Sequence, residues 1–442
     1  MLKMDKYLFK FRFILLALIL ILGLYLRSYN LNTWPRLGAT FDEYAWTWLG
    51  INLIQNKIPI SWSPHPQYEN KKAIIYQKTH FVLVKPYLEH PPFFGLVAGS
   101  YALINGAKDM FDIDISRIRG LALILGVLSI FILYIFAAEV YGYKIGLLSS
   151  FIYATVPTIV IGSRIVENEN FFIPFFLLSL FLIVKFVKTK NPWFRNICAL
   201  VCGLLILAKI PWIAATIGII LILLYFKKYK DILKFLSIVV PISLVFPAYG
   251  IYFDSKLFFD LMSFQIQRYD LTFNSFFALF TSPYLVDRFL IDGWIYFGWI
   301  AIFILSLKDF KKNIFVLLPF LAYFILFVFA IPNEPQHGWY RYPFYPFLII
   351  SLSLFIRNYF NKNHILTFLF LIFTGLSMLE TSWALSLGFS FLIFRVFIIL
   401  FSLSLLPLFF PNTSRKSNLI NYLSLVIIFA LNIWSVFLYN EQ

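Results

Sequence analysis

Apolar runs of ~17–25 residues, the length that crosses a bilayer, recur along this chain to its last segment. Roughly thirteen stand out, near 12–29, 117–138, 143–162, 171–187, 196–208, 211–226, 234–251, 289–307, 313–331, 344–356, 364–380, 388–410 and 419–438. The runs at 196–208 and 211–226 are short and meet at "AKIPW", which predicts a tight or re-entrant hairpin. A basic start containing Lys3, Lys6, Lys10 and Arg12 leads into the first run, as in a signal peptide. No small-residue cleavage site follows, so the run reads as an uncleaved first span.

The polar stretches between runs alternate in kind. "KFVKTKNPWFR" (185–195), "KKYKDILK" (227–234), "KDFKK" (308–312), "RNYFNKNH" (357–364) and "SRK" (414–416) fall on the side of the N-terminus. The positive-inside rule makes that side cytoplasmic. The opposite face receives "FDEYAW", "EHPPFF", "SRIVENENFF", the "KIPW" tip, the segment 252–288 and "NEPQHGWYRYPFYP". A random scatter of polar residues would not sort every unusual cluster to one face. The first outer segment, 30–116, is too long for a simple connection. Its two amphipathic stretches, one from Asp42 and one from Pro91–Pro92 to about Asn105, predict helices lying at the membrane surface. The expected fold is an all-α integral-membrane bundle of roughly 11–13 transmembrane helices, one polytopic domain over 1–442. No internal repeat or heptad pattern appears.

Composition agrees. The chain has 442 residues, 61% hydrophobic and 13% charged, with mean hydropathy +0.81. A soluble domain is nearer half apolar and about a quarter charged. The net charge of +16 would suggest nucleic acid in a soluble protein. Here the Lys and Arg occupy short loops, so the charge reads as topology and affinity for anionic membrane lipids, with no nucleic-acid partner. Cys198 and Cys202 lie four apart in an apolar run, small fillers on one helix face rather than a disulfide or metal set.

The outer clusters carry the candidate chemistry. In "TFDE", Thr40 and Glu43 fit a capping box, which leaves Asp42 free at a helix N-terminus. That position favours the anion, so Asp42 is a candidate base. In "EHPPFF" the prolines suit a helix start, and His90 adds a donor near the surface. "SRIVENENFF" reads as a short hinge: Glu167 as part of a solvated turn, Arg164 near membrane depth with Glu169 as its partner. Lys209 in "LAKIPWIA" sits where a charge is costly unless it snorkels or meets an anion. Arg341, among Tyr340, Tyr342 and Tyr345, is either part of an interfacial aromatic belt or a phosphate clamp. Arg268, beside Tyr269, is a weaker candidate of the same kind, as is Tyr345. No Gly-rich phosphate loop is present, so a nucleotide substrate is poorly supported.

The order of these motifs resembles the GT-C glycosyltransferases, in particular the protein O-mannosyltransferase and aminoarabinose-transferase type. The resemblance runs over roughly 25–350: a "DE" pair after the first span, a basic residue before Pro-Pro, S-R-x-x-x-x-acid, L-x-K-x-P and R-Y-x-x-P-x-x-P. It implies Asp42 as catalytic base with Glu43 as companion, and His90, Lys209 and Arg341 on the donor phosphate. Arg164 and Glu169 stand where that group has Arg and Asp in the second outer loop. The implied donor is a polyprenyl-phosphate sugar, the acceptor an extracytoplasmic hydroxyl on a glycan, lipid or protein. No cofactor is required on this reading, and a divalent cation at the acid pair stays open. The competing readings are a transporter or flippase for lipid-linked substrates, and a ligase or polymerase moving a whole oligosaccharide.

Overall fold

The computed structural model describes residues 2–267, 274–281, 283, 285–286, 292–330, 337–377 and 390–441. The long apolar runs become helices: α1 (Leu2–Ser28), α4 (Ile115–Tyr141), α5 (Tyr143–Thr155), α6 (Pro157–Gly162) and α7 (Asn168–Thr189). Then follow α8 (Pro192–Ile206), α9 (Ile213–Tyr225), α10 (Tyr229–Ser243), α11 (Val245–Gln267) and α12 (Asn274–Thr281). The rest are α13 (Gly293–Asp309), α14 (Ile314–Ala330), α15 (Tyr345–Asn358), α16 (His364–Leu371), α17 (Phe391–Ser402), α18 (Leu406–Phe409) and α19 (Ser414–Leu438). Among the described residues, seven helical stretches are long and apolar enough to cross a membrane, and five shorter apolar helices accompany them. This is an integral-membrane chain.

Proline punctuates the run 143–162, where Pro157 opens α6, and the pair 196–226, where Pro211 opens a 3₁₀ turn into α9. The ring lacks an N–H, so it fits a first turn. Large apolar side chains such as Phe13, Ile21, Phe303 and Phe391 stay exposed along the helices, as lipid-facing surface requires.

The first outer segment holds α2 (Asp42–Asn56) and α3 (Phe93–Ile104), the two expected helices. Between them stand three strands, β1 (Ser61–Trp62), β2 (Lys71–Tyr76) and β3 (Thr79–Val84), in an antiparallel sheet of order β1-β3-β2. The helical bundle is as expected, with this small sheet added to it. The strands are short and half polar, so they gave no long period-2 signal. α2 packs into the protein, with Glu43 to Asn52 all buried. Its backbone lies against α3, where a Cβ on Gly50 would fall 1.8 Å from the Gly95 carbonyl oxygen. Only glycine permits that approach. Phe81 of β3 closes the other side, its ring 4.9 Å from Trp48 and 5.2 Å from Phe41.

Candidate active site

One cavity of about 410 Å³ opens beside α2, lined by Asp42, Glu89, His90, Glu169, Lys209 and Tyr340. Trp46, Trp62 and Tyr87 form an aromatic wall, and Ile210, Pro211, Ile213, Met262, Ile266 and Leu326 an apolar one. Polar groups from five distant stretches thus converge on one partly apolar-walled space.

The floor is built around Lys209. Asn168 donates to the Ala208 carbonyl (2.8 Å) and accepts from the Trp212 indole (2.7 Å), fixing the turn on both sides of the lysine. Trp212 stacks on Phe172 at 4.1 Å. Lys209 Nζ donates to Glu169 Oε1 at 2.8 Å and lies 5.1 Å from the Tyr340 ring centroid. Burial works against the ammonium, but the Glu169 carboxylate and Tyr340 outweigh it, and its pKa stands above the usual lysine range. Lys209 remains a cation at every physiological pH.

Asp42 enters from the first turn of α2. Its backbone N–H donates to Thr40 Oγ1 at 3.1 Å. Desolvation pushes the Asp42 carboxyl up to about 6; Lys209 opposes the rise, while Glu169 and Glu89 add to it. An acid with that value is ionised at neutral pH and matched to accept a proton there. Across the cavity, His90 packs its ring 5.3 Å from Trp46. Glu89 Oε2 lies 3.2 Å from His65 Nε2, which also contacts Gln265 Nε2 at 3.2 Å. This chain ties α11 to the first outer segment. Among the described residues, no group of three His, Cys, Asp or Glu side chains is arranged to hold a metal ion.

Residues 89–251 match the family model described as dolichyl-phosphate-mannose-protein mannosyltransferase, well under half of the chain. No curated protein matches by sequence. ArnT from Cupriavidus metallidurans, solved with undecaprenyl phosphate, is similar in structure at 14% identity and TM-score 0.58, over 96% of this chain and 77% of that one. The same protein in its apo state gives TM-score 0.55 at 14% identity, over 95% and 75%. The oligosaccharyltransferase of Archaeoglobus fulgidus, solved with zinc and sulfate, gives TM-score 0.53 at 15% identity, over 85% of this chain. This chain spans only 52% of that enzyme. The fold is GT-C.

Within the GT-C frame, Asp42, His90, Lys209 and Glu169 share the cavity, and six of the sequence expectations are corrected. Glu43 does not line the cavity. It points into the protein and forms a two-pronged pair with Arg119 (Nε–Oε1 3.0 Å, Nη2–Oε2 2.9 Å), while Oε1 also accepts from the Val166 N–H. The capping box is absent: α2 has no side-chain cap, and Thr40 donates instead to Glu167. Arg341 also misses the cavity, because its guanidinium is spent on carbonyls of Pro283, His337, Leu279 and Ala278. Tyr345 is buried against Tyr342, ring centroids 5.6 Å apart, and likewise does not line it.

Arg164 does not pair with Glu169, whose Oε1 is held by Lys209; it is buried and donates to the Leu26 carbonyl. Glu167 is no solvated turn but fully buried. Arg268 lies outside the described residues. The sequence reading passed over Glu89, although it adjoins His90, and it had no signal for His65 or Gln265, which meet only through the fold.

Proposed function

We propose that the chain transfers a single sugar from a polyprenyl-phosphate donor to an extracytoplasmic hydroxyl of a glycan, lipid or protein, with inversion at the anomeric carbon. The observation that carries the reading is the meeting of Asp42, a carboxylate poised near neutrality, with the cation Lys209 in one cavity that also has an apolar wall. A lipid phosphate fits such a space: the head needs a cation, and the first isoprene units need apolar walls. The match to a mannosyltransferase family model and the GT-C fold support it.

In this reaction the acceptor oxygen attacks the anomeric carbon as Asp42 removes its proton. The bond from that carbon to the phosphate oxygen breaks, and its electron pair leaves with the lipid phosphate. Lys209 and His90 offset the charge gathering there, the positions where fixed charge lowers a barrier most. Glu169 orients Lys209. The cavity faces the extracytoplasmic side, with the N-terminus cytoplasmic, because the basic loops gather at the other end.

The test is release of free polyprenyl phosphate from synthetic sugar donors by the purified protein. Asp42→Asn should lower turnover about 10²–10⁴-fold while donor binding is kept. Chelation with EDTA should leave the wild-type rate unchanged, since the proposed roles need no divalent ion. Equal turnover by wild type and Asp42→Asn would remove Asp42 from the chemistry. No release from any single-sugar donor, with transfer from a pyrophosphate-linked oligosaccharide, would move the assignment to a ligase.

A further inference from the structure

The cavity and its wall hold more acid than base. Asp42, Glu89, Glu167 and Glu169 surround a single lysine, and that lysine already pairs with Glu169. Four ionised carboxylates here would repel an anionic donor, so at least one must give up its charge.

Glu167 is the one built to do so. It is wholly buried just before α7, behind the cavity lining. Its Oε1 takes a hydrogen bond of 2.6 Å from the Thr40 hydroxyl, the same hydroxyl that receives the Asp42 N–H. Its Oε2, like Glu89 Oε1 and Glu169 Oε2, has no hydrogen-bond partner, but Glu89 meets His65 and Glu169 meets Lys209, whereas Glu167 forms no ion pair among the described residues. A buried carboxylate normally uses both oxygens, and an ionised one with a bare oxygen is costly. Protonation of Oε2 removes the charge and leaves only the much smaller cost of an unpaired neutral hydroxyl. The facing groups agree. Asp42 from α2 and Glu169 from α7 disfavour the anion, Tyr340 and Tyr342 add no positive charge, and Lys209 favours it but is committed to Glu169. Burial, then Asp42 and Glu169, hold the Glu167 carboxyl well above the ordinary range.

We infer that Glu167 is kept as a neutral carboxylic acid behind Asp42, and that its ionisation closes the cavity to an anionic lipid donor at alkaline pH. Asp42 can then ionise without a second charge beside it, and Lys209 keeps enough field to attract a phosphate. The inference rests on the donor reading above, and its test separates the two.

The full-length protein in detergent is examined by infrared spectroscopy and by binding of undecaprenyl phosphate from neutral to alkaline pH. At pH about 8, where Asp42 is ionised, the difference between wild type and Glu167→Gln should show a protonated-carboxyl C=O stretch. That stretch should vanish as pH rises. Over the same range wild-type binding should weaken about tenfold, a cost of one added charge in the site, while Glu167→Gln holds its affinity. Gln accepts the Thr40 hydrogen bond and carries no charge, so it mimics the neutral acid. If that variant fails to fold, Thr40→Val serves. Without the hydroxyl donor the carboxylate is harder to form, and the alkaline loss should move to higher pH. No protonated stretch in the difference spectrum overturns the inference. So does alkaline loss of binding that persists unchanged in Glu167→Gln. A stretch that titrates as expected in a protein that binds no lipid phosphate at any pH would uphold the neutral acid and overturn its gating role together with the donor assignment.

Discussion

At the scale of single residues, the site works by opposed burial effects. Burial raises Asp42 to about 6, whereas Glu169 and Tyr340 more than offset the cost of burying Lys209. The consequence is a signed pH dependence. A raised carboxyl is protonated below its own value and cannot act as a base there. Turnover should therefore fall as pH drops through about 6, roughly tenfold per unit below it. A kcat/KM profile in saturating acceptor checks this, and a flat profile from neutral pH down to the ordinary aspartate range would show that Asp42 is not the base. Asp42 was legible in the sequence as an acid left free at a helix N-terminus, and Lys209 as a charge at the edge of an apolar run, where it is expensive. Arg341 looked alike by that rule. The difference lies in backbone carbonyls at 278–283 and 337 that satisfy its guanidinium, a tertiary fact without a local signal.

At the scale of elements, the "DE" pair divides its labour. Asp42 faces the cavity, and Glu43, one residue on and so turned by about 100° around α2, faces the protein. There it meets Arg119 of α4, whose Nη1 also donates to the Leu31 (2.9 Å) and Pro35 (2.7 Å) carbonyls. One guanidinium thus ties α4, α2 and the chain after α1, and so sets where Asp42 stands. Both side chains are fully buried. Removing one partner of such a pair leaves a buried charge, at a cost of about 3–5 kcal/mol. Glu43→Ala should lower the melting temperature in detergent strongly, while Asp42→Asn should not. Equal melting of Glu43→Ala and wild type would break the structural assignment. The sequence left Asp42 free and gave Glu43 a local cap; the true partner, Arg119, is 76 positions away and left no local signal.

At the scale of the whole molecule, the alternation of basic and unusual polar loops was the most readable feature, and the fold gives it a physical meaning. "FDEYAW", "EHPPFF", "ENENFF", "AKIPW" and "GWYRYPF" each send a side chain to the one cavity, so they occupy one end of the bundle. The C-terminal end joins them, where Glu441 Oε2 lies 3.4 Å from Arg36 and Tyr439 stacks edge-on with Trp34 at 6.5 Å. The sheet in the same segment was not readable, since strands this short are defined by their partners. Under the proposed topology, charge bias puts this end on the extracytoplasmic side. The protein is well suited to a direct check, because its two native thiols, Cys198 and Cys202, are buried and a single introduced cysteine reports cleanly. Lys71, exposed on β2, and Lys311, exposed between α13 and α14, stand at opposite ends under this topology. In intact cells a membrane-impermeant maleimide should label Lys71→Cys, and Lys311→Cys should react only after the membrane is opened. The reverse pattern would place the cavity in the cytoplasm, where a lipid-phosphate sugar would have to be presented on the inner leaflet, and the extracytoplasmic acceptor would fall with it.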